Sequence, residues 1–185
     1  FGERVFKLSR LLKKMGVRPG ERIAILHRNS HHYLEVYFAA AQIGAILNPL
    51  NYRLSSGEFD FILSDSGAGI LIAEDVFRDT VKTLRDGKNA IRQIIWTGGG
   101  DVPDGFSSSR YENAIETESP DFFPPPDIQD EKTAHLYYTS GTTGDPKGVT
   151  LSHKNVCIHA LAAIAELGIR DYDNWIHAAP LFHLA

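Results

Sequence analysis

The run from Tyr138 to Val149 places hydroxyls, glycines and one lysine directly behind a short apolar segment. A loop that must wrap a polyphosphate needs that composition. Gly141, Gly144 and Gly148 leave no side chain between peptide N–H groups and an approaching anion, so the backbone can form a concave nest of donors. Thr139, Ser140, Thr142 and Thr143 add rotatable hydroxyl donors. Lys147 is the only cation of the run. Its charge matters because a hydrogen bond involving a charged group is worth roughly 1.5–3 kcal/mol, against about 1 kcal/mol for a neutral one. The bland alternative, a solvated Gly/Ser/Thr turn between two strands, fits the composition but not the order of the residues.

A Walker P-loop is the rival phosphate motif, reading G-x-x-x-x-G-K-[ST] and opening a helix. Counted from Gly141, Pro146 stands where the second glycine belongs and Gly148 where the magnesium-binding hydroxyl belongs. Val149, Thr150 and Leu151 are β-formers, so the chain leaves the loop as a strand and offers the phosphates no helix N-terminus. The P-loop reading is set aside.

The same run closely resembles the phosphate loop of the adenylate-forming superfamily, whose signature is similar to S-G-T-T-G-x-P-K-G-V. Ser140 to Val149 meets every position of it. Two further blocks carry the resemblance. Ala45 to Arg53 is similar to the family's earlier proline-containing strand exit, and Ala179 to His183 to the block that borders the acyl pocket. The family's order is kept across almost the whole chain.

This resemblance implies an ATP-dependent acid–CoA ligase. Thr139, Ser140, Gly141, Thr142, Thr143 and Gly144 would bind ATP, which carries its own Mg2+. Lys147 would neutralise the leaving pyrophosphate, and His183 would close the carboxylate tunnel. Coenzyme A would be the co-substrate and a small carboxylic acid the partner. A medium- or long-chain fatty acid is the expected substrate, with an aryl or succinylbenzoate acid as runner-up. The family's later acidic block, its ribose-binding aspartate, its hinge and its C-terminal lysine domain lie outside these residues. The chain opens at Phe1 inside a helix and stops just after His183, so the expectation is an N-terminal part of the large domain, inactive alone. A non-catalytic nucleotide-binding module is the alternative of another class.

Composition narrows the field further. With 185 residues, 43% hydrophobic and 23% charged, one folded core is expected. A formal net charge of −4 argues against a nucleic-acid surface. Eight histidines are present, but they are scattered apart from His31 and His32, and one cysteine cannot complete a zinc set of the usual spacing. The lone Cys157 also excludes an internal disulfide, which suits cytoplasm or a reducing organelle such as a peroxisome or plastid. No stretch approaches the roughly 20 apolar residues of a membrane helix.

The elements that must position the loop follow from periodicity. Val5, Leu8, Leu11, Leu12 and Met15 recur at helical spacing and stop at Gly16. Short apolar runs at Ile23–Leu26, Ile46–Asn48, Ile70–Ala73 and Ile91–Trp96 read as buried parallel strands. Helices are predicted between them, from Asn29 or Ser30 to Ile43, from Ser55 or Ser56 to about Asp65, and from Val76 to Arg85. The alternation predicts a doubly wound, mostly parallel α/β sheet with helices on both faces.

Residues 98–130 read as an internal connector, broken by a short helix near Tyr111 to Glu116. Strands at Ala134–Tyr138 and Gly148–Leu151 flank the loop, a helix spans Asn155 to Leu167, and a last strand is expected from Trp175 to Ala178. Tyr138, Trp175 and Phe182 are expected in the core, Cys157 buried, His153 and Lys154 in a solvated turn, and Glu35, Glu58 and Asp60 as helix-surface charges.

Overall fold

The computed structural model describes residues 1–84, 87, 89–101, 107–139 and 145–183. Its seven strands form one sheet in the order β5-β4-β3-β1-β2-β6-β7. The strands are β1 (Arg22–Leu26), β2 (Ile46–Pro49), β3 (Ile70–Glu74), β4 (Gln93–Thr97), β5 (Ser107–Arg110), β6 (Thr133–Thr139) and β7 (Lys147–Ser152). All neighbours run parallel except β6 and β7, which form an antiparallel hairpin.

Helices cover both faces because the chain winds outward from β1 in two directions. The step from β1 to β2 carries α2 (His31–Ile43), and the steps to β3 and β4 carry α3 (Ser56–Ser66) and α4 (Arg78–Thr83) the opposite way. Right-handed crossovers then place α2 on one face and α3 with α4 on the other. Pleat alternation matches this arrangement. Ile23 and Ile25 join the core under α2 and α1 (Gly2–Lys14), while Ala24 and Leu26 join the core under α3 and α4. Each fully buried Ile or Leu stabilises the fold by about 1.5–3 kcal/mol.

Local signals set the helix ends. Ser30 caps α2 by accepting from the Tyr33 amide, and Ser55 with Glu58 forms a capping box on α3. A second capping box, Ser152 with Asn155, starts α6 (His153–Leu167). His153 and Lys154 are therefore the first turn of a helix, not a free turn.

Several expectations are corrected. A 3-10 turn, Asp75–Phe77, precedes α4 in place of one continuous helix from Val76, and Arg85 lies outside the described residues. The run 98–130 contains a strand, β5, as well as α5 (Tyr111–Glu116). β5 is almost all serine, so no apolar pattern announces it; parallel pairing with β4 holds it.

No strand forms at Trp175 to Ala178. Trp175 and Ile176 are 65% and 90% exposed, and β-propensity reports a half-buried pleated surface that is missing there among the described residues. Cys157 is exposed because no described element covers that face of α6.

Glu35 is 1% exposed, not a surface charge. Its carboxylate accepts from Arg4 Nε at 2.5 Å and from the Tyr111 hydroxyl at 2.6 Å, which joins α1, α2 and α5. Those partners offset the cost of burying the charge. Among the described residues no helix is long and apolar enough to cross a membrane.

Candidate functional site

The last described pair of the β6–β7 hairpin flanks the glycine- and hydroxyl-rich run in the sequence. Thr139 and Lys147 are ladder partners there, and both side chains are exposed. Lys147 makes no ion pair among the described residues. Ser140, Gly141, Thr142, Thr143 and Gly144 lie outside the described residues.

One pair inside, Tyr138 stands opposite Gly148. A Cβ on Gly148 would meet Leu136 Cδ1 at 3.1 Å and the Tyr138 ring at 3.5 Å, so the ring lies close against the β7 backbone and a larger residue would have to displace the Leu136 side chain slightly. The Tyr138 hydroxyl donates to Asp65 at 2.6 Å and fixes the strand end to α3. Burial, reinforced by that carboxylate, raises the Tyr138 phenol above its ordinary range.

Because β2 and β6 are parallel neighbours, their carboxyl ends open on the same edge of the sheet. Ligands of open α/β sheets bind at that edge. Tyr52, just beyond β2, packs edge-on against Phe182 with ring centroids 5.0 Å apart. The Arg53 guanidinium lies 5.7 Å from the Tyr52 ring centre and 5.9 Å from that of Phe182. Phe182 is buried as expected, whereas the neighbouring His183 is exposed, its amide donating to Pro180 O at 3.0 Å in a tight turn.

A chain of hydroxyls ties this turn to the hairpin. The Tyr37 hydroxyl donates to Leu181 O at 2.7 Å and lies 2.9 Å from the Tyr137 hydroxyl on β6. Burial raises the Tyr37 phenol, so it stays protonated and able to donate. Asn29, beyond the end of β1, donates from Nδ2 to Ala179 O at 2.7 Å and accepts from the Leu181 amide at 2.9 Å. Tyr52 and Phe182, from two sequence blocks more than a hundred positions apart, thus touch, and Tyr37 ties the Phe182 turn to the strand that ends at Thr139. Sequence reading missed Asn29 and Tyr37; Asn29 carried only the weak signal of a possible helix cap.

His31, His32 and Glu112 place potential metal-ligating atoms within 4.8 Å of one another, a grouping the scattered histidines did not suggest. Both Glu112 oxygens accept from Arg4 at 2.8 Å, and His32 Nε2 lies 2.9 Å from one of them. The guanidinium and the positive end of α2 both oppose a cation there. The group is an ion-paired clasp between helices.

A family model described as AMP-binding enzyme matches residues 1–185. The chain belongs to the AMP-binding enzyme family. It is 37% identical over 182 residues to a feruloyl-CoA synthase of Amycolatopsis sp, a match covering 98% of this chain and 33% of that protein. Among solved structures, a long-chain-fatty-acid-CoA ligase from Archaeoglobus fulgidus aligns with a TM-score of 0.85 and 30% identity, over 98% of this chain and 35% of that one. The o-succinylbenzoate CoA synthetase of Bacillus subtilis, solved with its acyl-adenylate intermediate, aligns with a TM-score of 0.74 and 28% identity, over 97% of this chain and 42% of that one. The chain spans about a third of the length of the curated relatives it matches.

Proposed function

We propose that the protein acts as an AMP-forming acid–CoA ligase. The observation that carries this reading is the convergence of Thr139 and Lys147, the Tyr52–Arg53 exit of β2, and the Phe182–His183 turn on one edge of the sheet, in a chain of the AMP-binding enzyme family.

In the first step a carboxylate oxygen of the acid attacks the α-phosphorus of ATP·Mg. A new P–O bond forms, the bond to the bridging α,β-oxygen breaks, and pyrophosphate leaves with the electron pair. Little covalent chemistry falls to the protein, so positioning and charge neutralisation dominate. Lys147 offers the charge for the departing pyrophosphate. Thr139 and the Ser140–Gly144 run offer neutral donors. In the second step the thiolate of coenzyme A attacks the acyl carbon, and AMP departs.

The acid binds beside the Phe182–His183 turn in this scheme. Tyr52, backed by the buried Phe182, supplies an aromatic face that suits an aryl acid, and Arg53 supplies a cation for its carboxylate. The similarity to a feruloyl-CoA synthase supports that choice. A medium- or long-chain fatty acid is the second reading, supported by the likeness to the Archaeoglobus fulgidus structure.

The test is acid-dependent ATP–pyrophosphate exchange by the full-length protein with aryl, fatty and dicarboxylic acids, followed by thioester formation when coenzyme A is added. Exchange restricted to one class names the substrate. Absence of exchange with every acid, in a folded protein that binds ATP, removes the ligase reading and leaves a nucleotide-binding module.

A further inference from the structure

Phe182 and Leu181 pack the turn against the hydrophobic core, but packing alone does not fix the direction of its backbone. Residues 173–178 are exposed and form no regular structure, so the chain arrives from α6 without a strand partner. Its backbone is then captured over three residues. Asn29 binds it as a neighbouring strand would, its amide nitrogen donating to Ala179 O and its amide oxygen accepting from the Leu181 N–H. The Tyr37 hydroxyl takes the Leu181 carbonyl. Among the described residues no other side chain bonds to the backbone of residues 179–181.

The two anchors have different roots. Asn29 follows the carboxyl end of β1, the central strand, and so refers the turn to the sheet. Tyr37 sits on α2, stacked on the fully buried Tyr33 at 5.6 Å, and touches Tyr137 of β6, two residues before Thr139. The turn is therefore located relative to both the sheet and the strand that leads into the phosphate-binding run. Hydrogen-bond geometry of this kind fixes direction as well as distance.

We infer that Asn29 and Tyr37 are positioning residues that set where the Phe182–His183 turn stands against the β6–β7 hairpin, and thereby which acid is held in line with ATP. Neither touches a reacting atom. The inference rests on the ligase reading for its kinetic consequence, whereas its structural half stands independently. A turn freed by a fraction of an ångström to an ångström misplaces the acid rather than the nucleotide.

The experiment compares Asn29→Ala, Asn29→Asp and Tyr37→Phe in the full-length protein. Acid KM and ATP KM are read separately, together with amide hydrogen exchange at Leu181 and, as a control, at the core residues Ile25 and Leu71. Asn29→Ala is expected to raise the acid KM on the order of tenfold, with the ATP KM moving less than about twofold, and to speed exchange at Leu181 alone. Asn29→Asp keeps the acceptor for the Leu181 N–H and should restore slow exchange there, with a smaller rise in acid KM. Tyr37→Phe should raise the acid KM without altering exchange at Leu181, whose amide it does not hold.

Equal changes in both KM values, with exchange accelerated at Ile25 and Leu71, would reduce Asn29 to a fold-stabilising residue and overturn the inference. Unchanged Leu181 exchange in Asn29→Ala would overturn it as well. If the unmodified protein activates no acid, the ligase reading fails by itself, and Leu181 exchange still decides whether Asn29 holds the turn.

Discussion

The strands β3, β1 and β2 and the hairpin of β6 and β7 belong to one sheet but live in opposite environments. Every residue from Ile23 to Leu26 and from Ile70 to Ala73 is fully buried, with helices on both faces. Along β7, by contrast, Lys147 to Thr150 are exposed, and α6 buries none of its residues. Hydrophobic burial builds the first region, whereas in the second Lys147 and Thr139 stand exposed beside uncovered apolar side chains such as Val149, Ile158 and Leu161. A scaffold packed on both faces supplies the rigidity from which Lys147, Thr139 and the Phe182–His183 turn can be presented.

That contrast can be broken by exchanging the expected effects. Trp96→Ala, at a 1% exposed position of β4, should cost about 3–5 kcal/mol of stability, read by denaturant unfolding. A cost near zero would mean that the two-faced core is not the source of rigidity. Lys147→Ala should leave stability within about 0.5 kcal/mol, as for other exposed surface positions. It should instead lose roughly 1.5–3 kcal/mol of transition-state stabilisation, ten- to a hundredfold in adenylation rate. An unfolded variant would place Lys147 in the scaffold.

Smaller effects sharpen the boundary between the regions. Ser152→Ala removes the capping box of α6 and should cost about 1 kcal/mol in thermal or denaturant unfolding, with ATP affinity unchanged.

His135 on β6 packs between Tyr37 and Tyr137, with centroids 5.1 and 5.8 Å away. Burial, with a lesser contribution from His153, lowers its pKa to about 4. The unfolded chain therefore binds the proton first. Stability should fall as the pH drops from about 6.5 towards 4 and be insensitive to this group above that window. In His135→Gln that part of the slope should vanish; an unaltered pH profile would assign it to other groups.

The least energetic change, His183→Ala, is expected to shift the preference among acids in exchange assays while leaving ATP affinity within about twofold. A uniform loss with every acid would show a folding defect instead.

Much of the scaffold was legible because its signals are local. Apolar runs of four residues, such as Ile70 to Ala73, announce buried parallel strands, and Ser30, Ser55 and Ser152 announce helix starts. β5 escaped because Ser107 to Arg110 owes its strand to a neighbour, not to its own side chains. Trp175 to Ala178 failed in the reverse direction, β-prone in composition but without a described surface to pack on.

The buried Glu35 was hidden by distance along the chain, since Arg4 and Tyr111 reach it from two other helices. The site divides in the same way. Lys147 and its hydroxyl-bearing neighbours are contiguous and could be read directly. Asn29 and Tyr37 act on a segment some 150 residues further along, and no spacing rule joins them.

The central claim is that the sheet edge formed by β1, β2 and β6 brings a carboxylate to the α-phosphorus of ATP. Incubating the full-length protein with carboxylate-18O acid, ATP·Mg and coenzyme A, and reading the AMP by mass spectrometry, tests it most directly. Attack by the carboxylate leaves one labelled oxygen on the AMP phosphate after the thioester forms. AMP without label, or label in inorganic phosphate, would contradict the account.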